Sequence, residues 1–146
     1  MDMKTVGQNR KARFDYEILE TVLAGVILSG SEVKSCRAGH VDLAGAYVSF
    51  LGSIPVLKHM KISPYRYSSP TAHEIGRDRT LLLKKAEMKK LQEAAEQKGV
   101  SVIPLEVQAG KFIKVLLGIG RGRKTIDKRH AIRKREVERR LRQGVE

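Results

Sequence analysis

The chain has 146 residues, of which 41% are hydrophobic, so it can bury one core and still carry an appendage. Its net charge of +13 indicates a polyanionic partner, and its single cysteine, Cys36, excludes an intramolecular disulfide. No stretch approaches the ~20 apolar residues of a membrane-spanning helix, and the polar N-terminus is unlike a secretory signal. We therefore expect a cytoplasmic protein that does not enter a membrane.

The positive charge is concentrated at the C-terminus. Residues 121–146 contain 11 of the 29 Lys and Arg residues and 4 of the 16 Asp and Glu residues, a net charge of +7. Residues 1–120 contain the remaining 18 and 12, a net charge of +6. A segregated basic block is more typical of a binding arm than of a uniformly solvated surface. Nonspecific affinity for nucleic acid is the alternative explanation.

The first residues of the chain predict a mobile end followed by strands. Residues 1–8 are polar and are expected to be mobile. Residues 13–29 predict two short strands, because Tyr16 and Ile18 alternate with charged residues. Ala24–Gly25 interrupts the apolar run and predicts the break between them.

A short helix and a hairpin are expected next. Residues 30–39 predict a helix in which Ser31 accepts hydrogen bonds from the first turn. Gly39 suits the left-handed conformation that ends many helices. Residues 46–60 predict a β-hairpin that turns at Gly52–Ser53. Within the hairpin, Pro55 predicts an edge strand, since proline has no N–H to donate to a β-ladder.

A long loop, a helix and two further strands are expected after the hairpin. Residues 61–80 predict a long loop with a functional role. Residues 84–99 predict an amphipathic helix with Leu91 on its apolar stripe, and residues 100–120 predict two further strands.

These elements predict a mainly β fold, a small antiparallel OB-like barrel of about six strands with two or three short helices. We expect a flexible N-terminus at 1–8, an OB-like domain at 9–120 and a basic tail at 121–146. The tail interleaves arginines with glutamates and places Ile132, Val137 and Leu141 at spacings of five and four. Such a segment is expected to be mobile when free and helical once phosphates neutralise it.

The side chains that support catalysis or metal binding are not grouped in the sequence. The four histidines have no cysteine or carboxylate partners at ligand spacing, and they are His40, His59, His73 and His130. The segment GIGRGRK lacks the pattern of a phosphate-binding loop. We therefore expect no metal, no cofactor and no enzymatic activity.

Three basic clusters precede the tail. The first is Asn9–Arg13, and the second is Lys34 with Arg37, which a helix places on one face. Arg77 and Arg79 would point the same way on an extended chain. Each cluster alone fits a solvated surface equally well. Three clusters and a tail that are all positively charged favour an RNA partner, because guanidinium groups bind phosphates and stack on bases.

Four motifs in a fixed order resemble the small protein B (SmpB) family, which binds transfer-messenger RNA (tmRNA). They are NRKARFDY (9–16), AGVILSGSEVKSCRAG (24–39), RDRTLLL (77–83) and GRGRKTIDKR (120–129). The resemblance implies an OB-like barrel that holds the tRNA-like domain of tmRNA and delivers it to stalled ribosomes for trans-translation. It also implies that elongation factor Tu joins the delivery complex, that the protein is monomeric and that the tail occupies the empty mRNA channel and decoding centre.

The resemblance and the basic clusters together give two sets of candidate site residues. The residues expected to bind tmRNA are Asn9, Arg10, Lys11, Lys34, Arg37, Arg77, Arg79 and Leu82. The tail residues expected to contact ribosomal RNA are Gly122, Arg123, Lys124, Ile126, Asp127, Lys128, Arg129, Arg133, Lys134 and Arg135.

The chain departs from the family pattern at several positions. Leu23 stands where a Glu implicated in RNA contact is usual, His40 where Lys is common, Phe14 where His is common, and Ile126 where His is frequent. We expect these departures to change the fine contacts with RNA and to leave the barrel framework intact. One competing hypothesis is a structural ribosomal protein with a basic OB domain. The other is a nuclease or modifying enzyme, for which the sequence offers no candidate catalytic residues.

Overall fold

The computed structural model describes residues 3–50, 52, 54–64 and 75–123. Its strands in these ranges are β1 (Lys4–Gln8), β2 (Tyr16–Val26), β3 (Val41–Asp42), β4 (Tyr47–Ser49), β5 (Val56–Lys58), β6 (Lys61–Ile62), β7 (Arg79–Leu82), β8 (Val100–Ala109) and β9 (Ile113–Gly122). Its helices in these ranges are α1 (Arg10–Asp15), α2 (Gly30–Arg37) and α3 (Lys85–Ala95).

Seven strands form one antiparallel sheet in the order β1-β8-β9-β2-β7-β5-β4, and β3 pairs with β6. The long strand β2 pairs with β9 along most of its length and with β7 at its C-terminal end. β4 also contacts β8, so the sheet bends back on itself. The predicted mainly β, antiparallel fold class is confirmed, although the described ranges hold nine strands rather than about six.

Aliphatic side chains fill the interior, as the low aromatic content requires. The fully buried members of the main core include Leu57, Met60, Leu91, Val115 and Leu117. Each such side chain stabilises the fold by about 1.5–3 kcal/mol. Leu91 is the inward residue of α3, so the predicted helix and its apolar stripe are confirmed. A second, smaller cluster of Ala12, Ile103 and Leu105 lies under α1.

The N-terminal expectations are wrong in two respects. Residues 1–8 were expected to be mobile, but Lys4–Gln8 forms β1 and pairs with β8, where the half-buried Val6 packs against the main core. Residues 13–29 do not form two strands, because β2 runs without a break through Ala24–Gly25. Gly25 stays in the ladder between Leu82 and Lys114, its partners on β7 and β9.

The helix predicted at 30–39 is confirmed as α2, with a different cap. Ser29, rather than Ser31, is the N-cap, and its side chain accepts a hydrogen bond from the Glu32 amide. The Glu32 carboxylate accepts one from the Ser29 amide in return, which completes a capping box. Gly39 has a φ of +81°, the left-handed conformation predicted for it.

The predicted hairpin of residues 46–60 is confirmed by the pairing of β4 with β5. The edge position predicted from Pro55 is wrong, because β5 lies between β7 and β4, and β4 is the edge. Pro55 precedes β5, and its carbonyl accepts a hydrogen bond from the Leu81 amide (3.0 Å), so its missing N–H costs no ladder bond. The loop predicted at 61–80 begins with β6 and ends in β7, and residues 65–74 lie outside the described ranges.

Candidate nucleic-acid interface

Helix α2 presents two of the predicted cations on the surface. The capping box fixes the start of the helix, and Lys34 and Arg37 follow in its last turn, where both side chains are exposed. Cations near the C-terminal end of a helix interact favourably with its dipole. Arg37 also donates a hydrogen bond from Nη2 to the Lys111 carbonyl oxygen (3.3 Å), which ties the end of α2 to the turn between β8 and β9.

This turn carries an exposed aromatic side chain that the sequence analysis missed. Phe112 is 65% exposed, and the Lys111 ammonium lies 5.8 Å from the centre of its ring. A cation at this distance reinforces the ring as a stacking surface. The sequence shows a phenylalanine directly after Lys111 in a chain with few aromatic residues, but it does not show that this side chain faces outward.

An apolar groove with a volume of about 530 Å³ lies beside Phe112 on the outer face of the sheet. Its lining includes Leu23, Gly25, Leu82, Phe112 and Lys114. Leu82, Gly25 and Lys114 form one row across β7, β2 and β9. A Cβ on residue 25 would lie 3.2 Å from that of Leu82, so glycine leaves the floor of the groove open.

The groove is lined by exposed apolar side chains and by charged ones. Leu23 and Leu82 are 40% and 57% exposed, and Lys84, Lys114 and Glu87 also line the groove, so its charged lining is two lysines and one carboxylate. Apolar and aromatic faces stack with unpaired bases, and lysines bind the phosphates that connect them. We call the α2 cations, the Lys111–Phe112 turn and this groove the α2–groove face. It unites Lys34, Arg37 and Leu82, three of the residues predicted to bind RNA.

Arg79 is not on this face, contrary to the prediction. Its side chain is 0% exposed, and its Nε and Nη2 atoms donate to Oε2 of Glu32 at 2.9 and 2.7 Å. Its Nη1 atom donates to the Met60 carbonyl and to that of Arg77 (3.0 Å), and Nη2 also donates to the Ile75 carbonyl (3.0 Å). The guanidinium therefore serves the fold and cannot reach a phosphate.

Arg77 shares the same carboxylate. Its Nη2 atom donates to Oε1 of Glu32, and its side chain is 36% exposed, so it is partly committed to that ion pair. Burial raises the pKa of Glu32, but hydrogen bonds from Arg77, the Ser29 amide and Arg79 outweigh it and the pKa is lowered. The arginines do point the same way, as predicted, but toward Glu32 rather than toward solvent.

Asn9 is buried and bonded within the fold, so any role of this residue in tmRNA binding would act through the structure around it. Its side chain is buried, and Nδ2 donates to the Leu43 and Pro104 carbonyls at 3.2 and 2.9 Å. Oδ1 caps α1 by accepting a hydrogen bond from the Ala12 amide (3.1 Å). Asn9 thus joins α1 to β8 and to the segment before β4.

Arg10 and Lys11 are exposed on α1, but the structure does not bring them to the groove. Lys11 instead lines a second cleft, of about 420 Å³, together with Tyr16, Tyr47 and residues of β8. The predicted tmRNA-binding residues therefore fall into four groups, which are the α2–groove face, the α1 surface, the buried Asn9 and Arg79, and the partly exposed Arg77 that is paired with Glu32.

The boundary between domain and tail lies later than predicted. Gly122 is the last residue of β9, pairs with Tyr16 and donates its N–H to the Gly99 carbonyl (3.0 Å). The Arg123 amide donates to the Asp15 carbonyl (2.9 Å). The other predicted tail residues lie outside the described residues, and they are Lys124, Ile126, Asp127, Lys128, Arg129, Arg133, Lys134 and Arg135.

Two further observations concern chemistry and membranes. Burial raises the pKa of the Cys36 thiol to about 11, so this side chain stays protonated near neutral pH. In the described part of the chain, His, Cys, Asp and Glu side chains form no group of three that could hold a metal ion. Among those same residues, no helix has the length and apolar composition to cross a membrane.

Comparisons with known proteins agree on one family. The family model described as "SmpB protein" matches residues 6–146. An SsrA-binding protein of Coprothermobacter proteolyticus is 44% identical over 96% of this chain and 95% of its own length. One of Acetivibrio thermocellus is 45% identical over 98% and 96%.

A solved structure is similar as well. A chain described as "tmRNA-SmpB: a journey to the center of the bacterial ribosome" has a TM-score of 0.71 and 42% identity. The match covers 87% of this chain and 94% of that one. The resemblance inferred from the four motifs is thereby confirmed over nearly the full length. The chain belongs to the SmpB protein family.

Proposed function

We propose that this protein is an RNA-binding adaptor that binds the tRNA-like domain of tmRNA and delivers it to stalled ribosomes for trans-translation. Its relatives are SsrA-binding proteins, and the similar solved chain is described with tmRNA and the bacterial ribosome. The observation that carries the proposal is the α2–groove face, where Lys84 and Lys114 line an apolar groove and Arg37 of α2 bonds to the turn that carries Phe112. We further propose that the protein acts in the cytoplasm, as a monomer and with elongation factor Tu in the delivery complex, which is what the family resemblance implies.

The α2–groove face supports binding to folded RNA with exposed bases. Leu82 and Phe112 offer apolar surface to bases that have left a helical stack, while Lys34 and Arg37 offer charge to the backbone. Leu23, which replaces the usual Glu, extends the apolar surface instead of accepting hydrogen bonds. The role is one of binding and positioning, without catalysis by this chain.

The first test compares RNAs of equal length. The chain should bind the isolated tRNA-like domain of tmRNA far more tightly than a ribosomal RNA fragment at physiological salt, with both affinities measured at several salt concentrations. Equal affinities would favour a structural ribosomal protein and would reject the adaptor.

The second test separates binding from delivery. Because β9 ends at Gly122 and the Arg123 amide bonds to Asp15, truncation after Arg123 leaves the strand complete. The truncated protein should bind the tRNA-like domain about as tightly as the full chain but should fail to support peptide tagging on stalled ribosomes. If RNA affinity and tagging fell together, the tail would be an affinity arm rather than an element that occupies the mRNA channel.

The third test concerns Ile126. We expect Ile126→His to be tolerated in tagging, because the family frequently has His at this position. A severe loss would mean that the tail of this chain makes a different decoding-centre contact.

A further inference from the structure

We propose that Glu32 is the positioning residue of the α2–groove face, and that its carboxylate holds the α2 cations in register with the groove for RNA binding. The inference rests on the proposed function. Glu32 is in the first turn of α2, and its carboxylate accepts hydrogen bonds from Arg77 and Arg79. Arg79 is the first residue of β7, and Arg77 lies two residues before it. The strand that carries Arg79 also carries Leu82 on its outer surface.

The two ends of α2 are fastened to two different parts of the face. At the N-terminal end, Glu32 is bound to β7 through Arg79. At the C-terminal end, Arg37 is bound to the Lys111 carbonyl in the turn that carries Phe112. The helix α2 is therefore bonded at one end to the strand that carries Leu82 and at the other end to the turn that carries Phe112. Because Lys34 and Arg37 are on this helix, their position relative to the groove depends on the Glu32–Arg79 bond and on the Arg37–Lys111 bond.

The cost of the arrangement argues for a role beyond stability. Both partners of a buried ion pair lose hydration, and apolar side chains of similar volume in place of the whole pair are often as stabilising. Arg79 is 0% exposed and is satisfied by one carboxylate and three backbone carbonyls, from Met60, Ile75 and Arg77. These directional bonds fix the orientation of α2 against β7 in a way that apolar packing would not.

Glu32→Gln is the discriminating variant. Gln at this position of a capping box still accepts from the Ser29 amide and fills the same volume, so the change removes chiefly the charge that holds the arginines. Lys34 and Arg37 remain in the sequence. The expected result is a loss of affinity for the tRNA-like domain of about five- to tenfold at constant salt.

The salt dependence gives a readout that loss of stability alone does not move. If the α2 cations lose their phosphates, the slope of log K against log salt should become shallower by roughly 1.4, because each lost contact removes about 0.7. Simple electrostatics predicts the opposite, since removing a carboxylate makes the protein more positive and frees Arg77 to bind phosphate. Unchanged or tighter binding, or an unchanged slope, would overturn the proposal.

Two controls isolate the attachment. Ser29→Ala removes the serine cap and leaves the arginine contacts of Glu32 in place, so it should keep the affinity. Leu105→Ala lowers stability from the separate cluster under α1 and should also keep the affinity and the slope, measured well below its unfolding temperature. If either control matched the loss caused by Glu32→Gln, the effect would belong to general stability.

A milder variant covers the case in which Glu32→Gln does not fold. Glu32→Asp keeps the charge but shortens the side chain, and it should lower the affinity less, with the slope shifted in the same direction. Wild-type affinity and slope in a folded Glu32→Asp protein would then reject the proposal. Failure of the wild-type chain to prefer the tRNA-like domain would reject the proposed function instead, so the two failures are distinguishable.

Discussion

Two pairs of cations in this chain are equivalent in the sequence and differ completely in the folded protein. Lys34 and Arg37 lie three residues apart on α2 and face solvent, whereas Arg77 and Arg79 turn toward Glu32, with Arg79 fully buried. The difference arises because the fold places Glu32, in the first turn of α2, within hydrogen-bond distance of Arg77 and Arg79. A cluster of positive residues therefore indicates RNA binding only after the acidic residues near it in space are known.

The sharpest way to test this comparison is to remove the buried arginine. Arg79→Met should lower the free energy of unfolding by about 3–5 kcal/mol, because it leaves the Glu32 carboxylate without its buried partner. Lys34→Met, at an exposed position, should change it by less than about 1 kcal/mol, the usual upper value for an exposed charged interaction. Urea denaturation of both variants measures the contrast, and equal effects would mean that Arg79 does not support the fold as described.

The same ion pair predicts an acid sensitivity. Folding lowers the pKa of the Glu32 carboxyl below its unfolded value of 4.5. The charged carboxylate therefore stabilises the folded protein at pH values above 4.5, and this contribution is lost as the pH falls through the pKa of the folded state. Glu32→Gln should therefore be less stable than wild type at pH 7, by about 1.5–3 kcal/mol. The two stabilities should converge as the pH falls below about 4. A constant difference from pH 7 to pH 3 would contradict a charged Glu32.

The exposed pair should affect RNA affinity rather than stability. Changing Lys34 and Arg37 together to Ala should cost about 2 kcal/mol of binding free energy for the tRNA-like domain, or roughly thirtyfold. The matched control changes Lys89 and Lys98, two exposed lysines at and beyond α3, and removes the same charge. If both double variants lost affinity equally, the binding would depend on net charge and not on the α2–groove face.

The stacking surface should contribute a smaller and salt-independent part. Phe112→Ala should weaken binding by about 1 kcal/mol, or roughly fivefold, without changing the salt slope, because stacking releases no counterions. Ile54 is 55% exposed outside the groove, so Ile54→Ala is the control and should keep wild-type affinity. A Phe112→Ala protein that bound the RNA with wild-type affinity would contradict the stacking of bases on this surface.

The sequence predicted features that depend on local pattern and failed where distant residues decide. The α2 helix, the hairpin of β4 and β5, and the β8–β9 pair follow from periodicity and turn residues. Arg79 is satisfied by Glu32, which lies 47 residues away, and periodicity gives no information at that separation. Leu82 would be assigned to a core by hydrophobicity alone, and only the family resemblance placed it in the site.

A last comparison concerns two buried polar side chains, Ser35 on α2 and Arg79 on β7. The Ser35 Oγ atom is buried and has no hydrogen-bond partner among the residues that the structure describes, whereas the buried donors of Arg79 are satisfied. Ser35→Ala should raise the free energy of unfolding by about 0.5–1.5 kcal/mol, because it removes an uncompensated buried hydroxyl. Ser31→Ala in the same helix gains a similar helix propensity without that relief, so it is the control. A Ser35→Ala protein no more stable than Ser31→Ala would indicate that the hydroxyl has a partner in solution.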